Sequence, residues 1–292
     1  MGRIAFVTDS TAGIPTEQKH RHKIEIVPLQ VIFGTEVFRD GVDLTQAEFF
    51  RRLRSARTLP TTSQPTVADF EQTYTKLLDD PDVGSIISVH ISSKLSGTYS
   101  EAVQVAERLM AQRGGDKNNK RISVVDSQSV YMGCGLMVIN GARAAEAGKG
   151  HDEVVRLIEG MRPDMRILVL IDTLEYLQRG GRIGGAQAFI GGLLNVKPIL
   201  QVKDGQVEPL ERVRTRRRAM ERLVEIAAEA VGSRPVQVAV GHGEAEEDAK
   251  VLSQMIRDRL NVAEEFTSDL GPVIATHTGP GVLGFVYYPL EG

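Results

Sequence analysis

Hydroxyl and acidic side chains gather at a few separated points of this sequence: Thr8-Asp9-Ser10-Thr11, Thr61-Thr62-Ser63, Ser92-Ser93, Asp126-Ser127 and His277-Thr278. A hydroxyl can donate to an acidic ligand, accept from a donor, or cap a helix. For any one hydroxyl a cap or turn is the commoner use. The same chemistry repeated in separate loops favours a binding site for a small acidic ligand. Asp9 and Asp126 each sit beside a serine, where a carboxylate can cap the next helix or orient ligand-binding hydroxyls. Both readings stand at this point.

Sharper chemical signatures are missing. There is no Walker A loop to cradle a nucleotide phosphate and no GxSxG nucleophile elbow. Gly279-Pro280-Gly281-Val282-Leu283-Gly284 matches GxGxxG, but too few residues follow for the helix and acidic residue of a dinucleotide fold. The six histidines form no HExxH, and the single Cys134 excludes cysteine-rich zinc sites and internal disulfides. No cofactor is therefore expected, and no metal. His20 and His22 flank Arg21 and read as surface residues. A net charge of -3 argues against nucleic acid as a partner. No apolar run nears the ~18 residues of a membrane span, so a cytoplasmic protein without a stable membrane anchor is expected.

The elements that must position these residues follow a repeated pattern. Ile4-Ala5-Phe6-Val7, Ile86-Ile87-Ser88-Val89-His90-Ile91 and Ile122-Ser123-Val124-Val125 are short β-branched runs, each ending in small polar residues. Helical stretches at 98–112 and 133–148 follow the second and third. Buried strands alternating with helices indicate a parallel sheet. Its carboxyl ends face the ligand crevice. Helical spacing covers 44–54, a proline-bracketed loop spans 59–65, and a helix restarts near Thr66 with Asp69 as capping partner. A soft boundary falls near 155–165. Beyond it, strands at 166–171, 198–202, 236–240 and 284–288, with helices at 216–230 and 248–260, fit a mixed sheet. The expected fold class is α/β: an N-terminal parallel-sheet α/β domain at 1–160, and a smaller mixed-sheet α+β domain at 161–292.

Several segments, taken in order, are familiar. They are Val7-Thr8-Asp9-Ser10-Thr11-Ala12 with Ile14-Pro15, Thr61-Thr62-Ser63-Gln64-Pro65, Ile91-Ser92-Ser93-Lys94-Leu95-Ser96-Gly97-Thr98-Tyr99, and Val125-Asp126-Ser127 with Met132-Gly133. Then come Leu174-Glu175-Tyr176-Leu177 with Arg179-Gly180-Gly181-Arg182-Ile183, Lys197-Pro198-Ile199-Leu200, and His277-Thr278-Gly279-Pro280-Gly281. Together they resemble the DegV family of bacterial fatty-acid-binding proteins. The resemblance implies a long-chain fatty acid lying between the two domains, the second completing the lipid pocket. It implies that Thr62, with Thr61 beside it, and Ser93, with Ser92 beside it, hold the carboxylate, with His277 close to that network. It further implies a carrier that is not itself an enzyme. Its partner would be the ATP-binding subunit of a fatty acid kinase, which phosphorylates the carboxylate for phospholipid synthesis.

Two competing readings remain open. Ser93, Asp126 and His277 would be the catalytic set of a stand-alone enzyme on a small phosphorylated or carboxylated metabolite. The run Arg212, Arg214, Arg216, Arg217, Arg218 would meet nucleic acid, or form a solvated face. Within the carrier reading, Arg214 is the candidate for docking the kinase. Arg179-Gly180-Gly181-Arg182 reads as a helix closed by glycine, with the role of its arginines open.

Overall fold

In the computed structural model, which describes residues 2–114, 120–191 and 196–290, the chain opens with β1 (Arg3–Asp9), a 3-10 turn (Ser10–Ala12), α1 (Thr16–Arg21) and β2 (Glu25–Val27). Then come β3 (Gln30–Phe33), β4 (Glu36–Arg39), α2 (Gln46–Ser55), β5 (Thr61–Ser63) and α3 (Val67–Asp79). β6 (Val83–His90), α4 (Thr98–Gln112), β7 (Ile122–Asp126), α5 (Met132–Glu146) and α6 (His151–Gly160) follow. The remainder is β8 (Arg166–Leu170), α7 (Glu175–Arg179), a second 3-10 segment (Gly184–Phe189), β9 (Lys197–Lys203), β10 (Gln206–Val213), α8 (Arg216–Val231), β11 (Val236–His242), α9 (Glu246–Arg259), β12 (Val262–Asp269), α10 (Gly271–Thr278) and β13 (Leu283–Pro289).

These elements form two compact units. One comprises residues 1–30 and 63–163, the other 31–62 and 164–292. The division corrects the single cut expected near residue 160. Residues 31–62 belong with the second unit because their apolar side chains pack there: Phe50 lies beside Gly243 and Val282. With that segment added, the second unit is the larger, not the smaller.

The first unit holds a four-stranded sheet, β2-β1-β6-β7, parallel throughout. Its central strands are apolar on both faces because helices cover both. Phe70, Tyr74, Leu77, Ala102, Val105 and Leu109 of α3 and α4 pack on Ala5, Val7 and Ile86. On the other face, Phe6 meets α5 at Gly141. α5 is buried along nearly its whole length. α3 starts at a capping box in which Thr66 and Asp69 bond each other's backbone. The register pairs His90 with Asp126 and Val7 with Ser88. Asp9, His90 and Asp126 therefore end their strands in one row, which sets the polar loops side by side.

The second unit is built on a mixed sheet, β10-β9-β8-β13-β11-β12. All its pairings are antiparallel except β11 with β12. α8 and α9 cover it through Leu223, Ala227, Leu252 and Ile256. A separate small sheet, β4-β3-β5, includes Thr61–Ser63, where the prolines had pointed to a loop. Among the described residues, no helix is long and apolar enough to cross a membrane.

Candidate functional site

In the second unit, Thr62 and His277 come together, with Thr62 Oγ1 and His277 Nε2 2.8 Å apart. Thr62 stands in the middle of β5, and His277 in the last turn of α10. Successive strand residues point to opposite faces, so Thr61, which is exposed, does not share the contact. His277 Nδ1 is buried and meets no partner among the described residues. A hydrogen on Nδ1 would be a buried, unpaired donor, which is costly. The ring therefore carries its hydrogen on Nε2 and donates to Thr62. That leaves the Thr62 hydroxyl hydrogen to donate onward, to a carboxylate for example. Burial, with a further contribution from the nearby Arg182 guanidinium, lowers the His277 pKa to about 4. At neutral pH the ring is thus uncharged, and the positive charge in its neighbourhood belongs to Arg182.

Two glycine motifs set this geometry. α7 ends in a Schellman arrangement: Gly181 N–H donates to Gln178 O at 3.1 Å and Arg182 N–H to Leu177 O at 3.0 Å. Gly181 takes the left-handed φ of 69°, so the helix-end reading accounts for it. Gly180 has an ordinary helical φ of -76° and is glycine for another reason. A Cβ there would lie 2.2 Å from His277 Nδ1. Conversely, a Cβ on Gly279, just past α10, would lie 2.3 Å from the Tyr176 ring of α7. Each helix is closed by a glycine that receives a ring from the other. Gly281, at φ 80°, makes room for Asp172, 2.3 Å from where its Cβ would stand. Packing thus accounts for Gly279 and Gly281, the first two glycines of the GxGxxG match.

In the first unit, the two serines of the turn after β6 behave differently. Ser92 is buried, and its Oγ accepts from Lys94 N–H at 3.2 Å. Ser93 is exposed, and its hydroxyl donates to Asp126 Oδ2 at 2.6 Å. The other oxygen of Asp126 accepts from Ser93 N–H at 3.2 Å and Gln128 N–H at 2.9 Å. Asp126 thus orients a hydroxyl rather than capping α5. The loop it begins is strained: Gln128 and Tyr131 have φ of 51° and 52°, unusual for residues with side chains.

A Ser–His–Asp constellation was not apparent in the sequence. Asp9 Oδ2 meets His90 Nδ1 at 3.0 Å, and His90 Nε2 meets Ser88 Oγ at 2.7 Å. The alternation of Ser88 and His90 along one strand face was its only signal. Ser88 is sealed from solvent and takes the Tyr74 hydroxyl at 2.8 Å, so it is no nucleophile. The enzyme reading named Ser93, Asp126 and His277. Of these, Ser93 and Asp126 are paired in the first unit, and His277 belongs to the second, bonded to Thr62.

The arginine run is mostly neutralised. Arg216 bonds Asp172 and Asp248, Arg217 and Arg218 bond Glu221, and Arg218 also bonds Glu225. Arg212 stacks on Phe189, 4.3 Å from the ring centroid. Arg214 is exposed in the bend between β10 and α8. Arg179 pairs with Glu175 at 2.8 Å, whereas Arg182 donates to Gly180 O at 2.7 Å. His22 is buried, with Nδ1 2.8 Å from Glu146, which corrects its reading as a surface residue. Among the described residues, no group of three or more His, Cys, Asp or Glu could hold a metal.

Comparison with known proteins gives a consistent picture. The model described as "Uncharacterised protein, DegV family" matches residues 3–290. A DegV domain-containing protein of Streptomyces coelicolor is 40% identical over 284 residues, 97% of each chain. A DegV family protein from Thermus thermophilus, described as fatty-acid binding, is similar with a TM-score of 0.89 and 38% identity, over 99% of this chain and 100% of that one. A stearic acid-binding protein from Eubacterium ventriosum is similar with a TM-score of 0.89 and 26% identity, over 99% of this chain and 98% of that one.

Proposed function

The chain belongs to the DegV family, and from that premise we propose that it binds a long-chain fatty acid and holds the carboxylate with hydroxyl groups. The observation that carries this reading is the Thr62–His277 pair, a threonine hydroxyl 2.8 Å from a buried neutral imidazole; with the ring as donor, the hydroxyl hydrogen is left for a ligand. Thr61 and Thr62 with His277 in the second unit, and Ser92 and Ser93 in the first, are the proposed ligand-binding residues. Of the two serines, Ser93 is the exposed one. Its hydroxyl would exchange Asp126 for the ligand.

Energetics divides the work between tail and head. Burying one methylene contributes about 0.8 kcal/mol, so a fifteen-carbon tail could contribute on the order of 12 kcal/mol before ordering costs. The head group needs only to avoid being left unpaired in an apolar site. A bidentate arginine would occupy both oxygens, whereas hydroxyl donors leave an oxygen able to react.

That feature suits a carrier presenting its ligand to a separate ATP-dependent kinase, for acyl phosphate formation and entry into phospholipid synthesis. The protein then performs no catalysis of its own in the cytoplasm, and Arg214, exposed and adjoining neutralised arginines, is the proposed docking contact. Displacement of a fluorescent fatty acid by oleate tests the binding. Wild type should bind, Thr62→Val and Ser93→Ala should bind more weakly, and equal affinity in all three would sink the assignment. For the kinase step, acyl phosphate should form with ATP only when an ATP-binding partner is added. Formation by this chain alone would instead favour the enzyme reading.

A further inference from the structure

The strand ends of the first unit carry a buried polar chain that the proposed head-group contacts do not use. Asp9, Thr11, Tyr74, Ser88 and His90 are all sealed from solvent. Asp9 Oδ1 accepts from both the N–H and the hydroxyl of Thr11. Asp9 Oδ2 accepts from Ile91 N–H at 2.9 Å and faces His90 Nδ1 at 3.0 Å. Burial would raise the Asp9 pKa, but the His90, Thr11 and Ile91 bonds together hold it below the usual value. An ionised carboxylate only accepts, so His90 donates to it from Nδ1. The remaining links follow: Ser88 donates to His90 Nε2, and Tyr74 donates to Ser88. Every group is satisfied in one direction.

Packing alone does not require such a chain. Apolar side chains would fill the same space without desolvating a charge, often at no loss of stability. What the polar chain adds is direction. One carboxylate fastens the end of β1, through Thr11, to the end of β6, through Ile91. Ile91 is the residue from which the Ser92–Ser93 turn departs. That turn is held on its other side by Ser127 N–H to His90 O at 3.0 Å and Ser92 N–H to Ser129 O at 2.8 Å.

We propose that Asp9, fixed in place by His90, is a positioning residue that sets the Ser92–Ser93 turn and so aims the Ser93 hydroxyl. The proposal rests on Ser93 being a head-group contact, and it extends that reading into the core of the unit. Asp9 and His90 touch no ligand in this scheme.

The test combines amide hydrogen exchange at residues 91–93 with oleate affinity and melting temperature. Asp9→Asn and His90→Leu should speed exchange at 91–93 and weaken oleate binding by about tenfold, as expected when a buried charge-assisted bond is lost. Exchange in α8 and α9 of the second unit should stay unchanged. His90→Asn places an amide donor where Nδ1 stands but gives up the Ser88 link. It should recover most of the exchange protection and affinity lost in His90→Leu, leaving a defect no larger than that of Ser88→Ala. A purely structural role would lower the melting temperature without this local, rescuable pattern. Wild-type exchange at 91–93 together with wild-type affinity in Asp9→Asn and His90→Leu would overturn the proposal. Should Asp9→Asn not fold, Ser88→Ala breaks the chain one link further away. It should quicken exchange at 91–93 to a smaller extent, and unchanged exchange there counts against the proposal. If wild type takes up no oleate, the fatty-acid reading fails, and the exchange data still decide whether Asp9 sets the turn.

Discussion

Thr62 and Ser93 carry the same functional group in opposite settings. Thr62 accepts from His277 and has its hydrogen to give, while Ser93 has given its hydrogen to Asp126. Replacing Thr62 with valine removes the hydroxyl donor and leaves the imidazole N–H unpaired, at about 1–3 kcal/mol. Thr62→Val should therefore lower the melting temperature modestly and fatty acid affinity strongly, while Thr62→Ser should keep both. Equal ligand retention in wild type and Thr62→Val would refute the role of this hydroxyl. Two rings also give the protein an acid limb. His277 and His151 both have pKa values lowered to about 4, chiefly by burial, from an ordinary 6.5. Between those values the unfolded chain binds protons that the folded chain refuses, so stability is full above pH 6.5 and falls as the pH drops toward 4. His151 bridges Ser85 and Ser123, and a His151→Gln variant should melt with a shallower dependence across that window. Identical pH profiles for variant and wild type would show that His151 is not the group responsible.

At the scale of elements, the α7–α10 pair shows how side chains far apart in sequence fix one another. Gly180→Ala would drive a methyl into His277, so it should reduce ligand affinity along with stability. Gly279→Ala adds a φ penalty to a clash with Tyr176 and should destabilise by about 1–3 kcal/mol. Gly181→Ala, which meets open space, should lose only about 1 kcal/mol through its φ. Melting curves of the three variants check the order. The sequence supported the helix-end role of Gly181, because that depends on neighbouring residues. It could not show why Gly180 is glycine, because the reason is a ring contributed by α10. The same limit governs the elements. β1, β6 and β7 were legible as β-branched runs because both their faces are buried, and α4 is helical over the bounds its periodicity predicts. β10 and β12 were not, since both are edge strands carrying half-exposed glutamates and little apolar contrast. β5 hid between Pro60 and Pro65.

For the whole molecule, the instructive feature is the route of the chain. Residues 31–62 leave the first unit's sequence, pack with the second, and return. The hydroxyl that meets His277 thus reaches the second unit from the N-terminal part of the chain. A fragment starting at residue 164 would lack Thr62, the small sheet, and the aromatic group of Phe33, Phe49 and Phe50. It should expose apolar surface and bind a hydrophobic dye, and a fusion restoring 31–62 should suppress that binding. A fragment that is soluble, cooperative in melting and dye-free would show that the segment is dispensable. Within this architecture the hydroxyls are held differently: Ser92 is buried in its turn, Ser93 is exposed and bonded to Asp126, and Thr62 is bonded to His277. The most direct test of what they serve is native mass spectrometry of freshly purified protein, with organic extraction of whatever it carries. The account predicts one long-chain fatty acid per chain, exchangeable with added oleate. Protein that is consistently empty and remains so in oleate would contradict it.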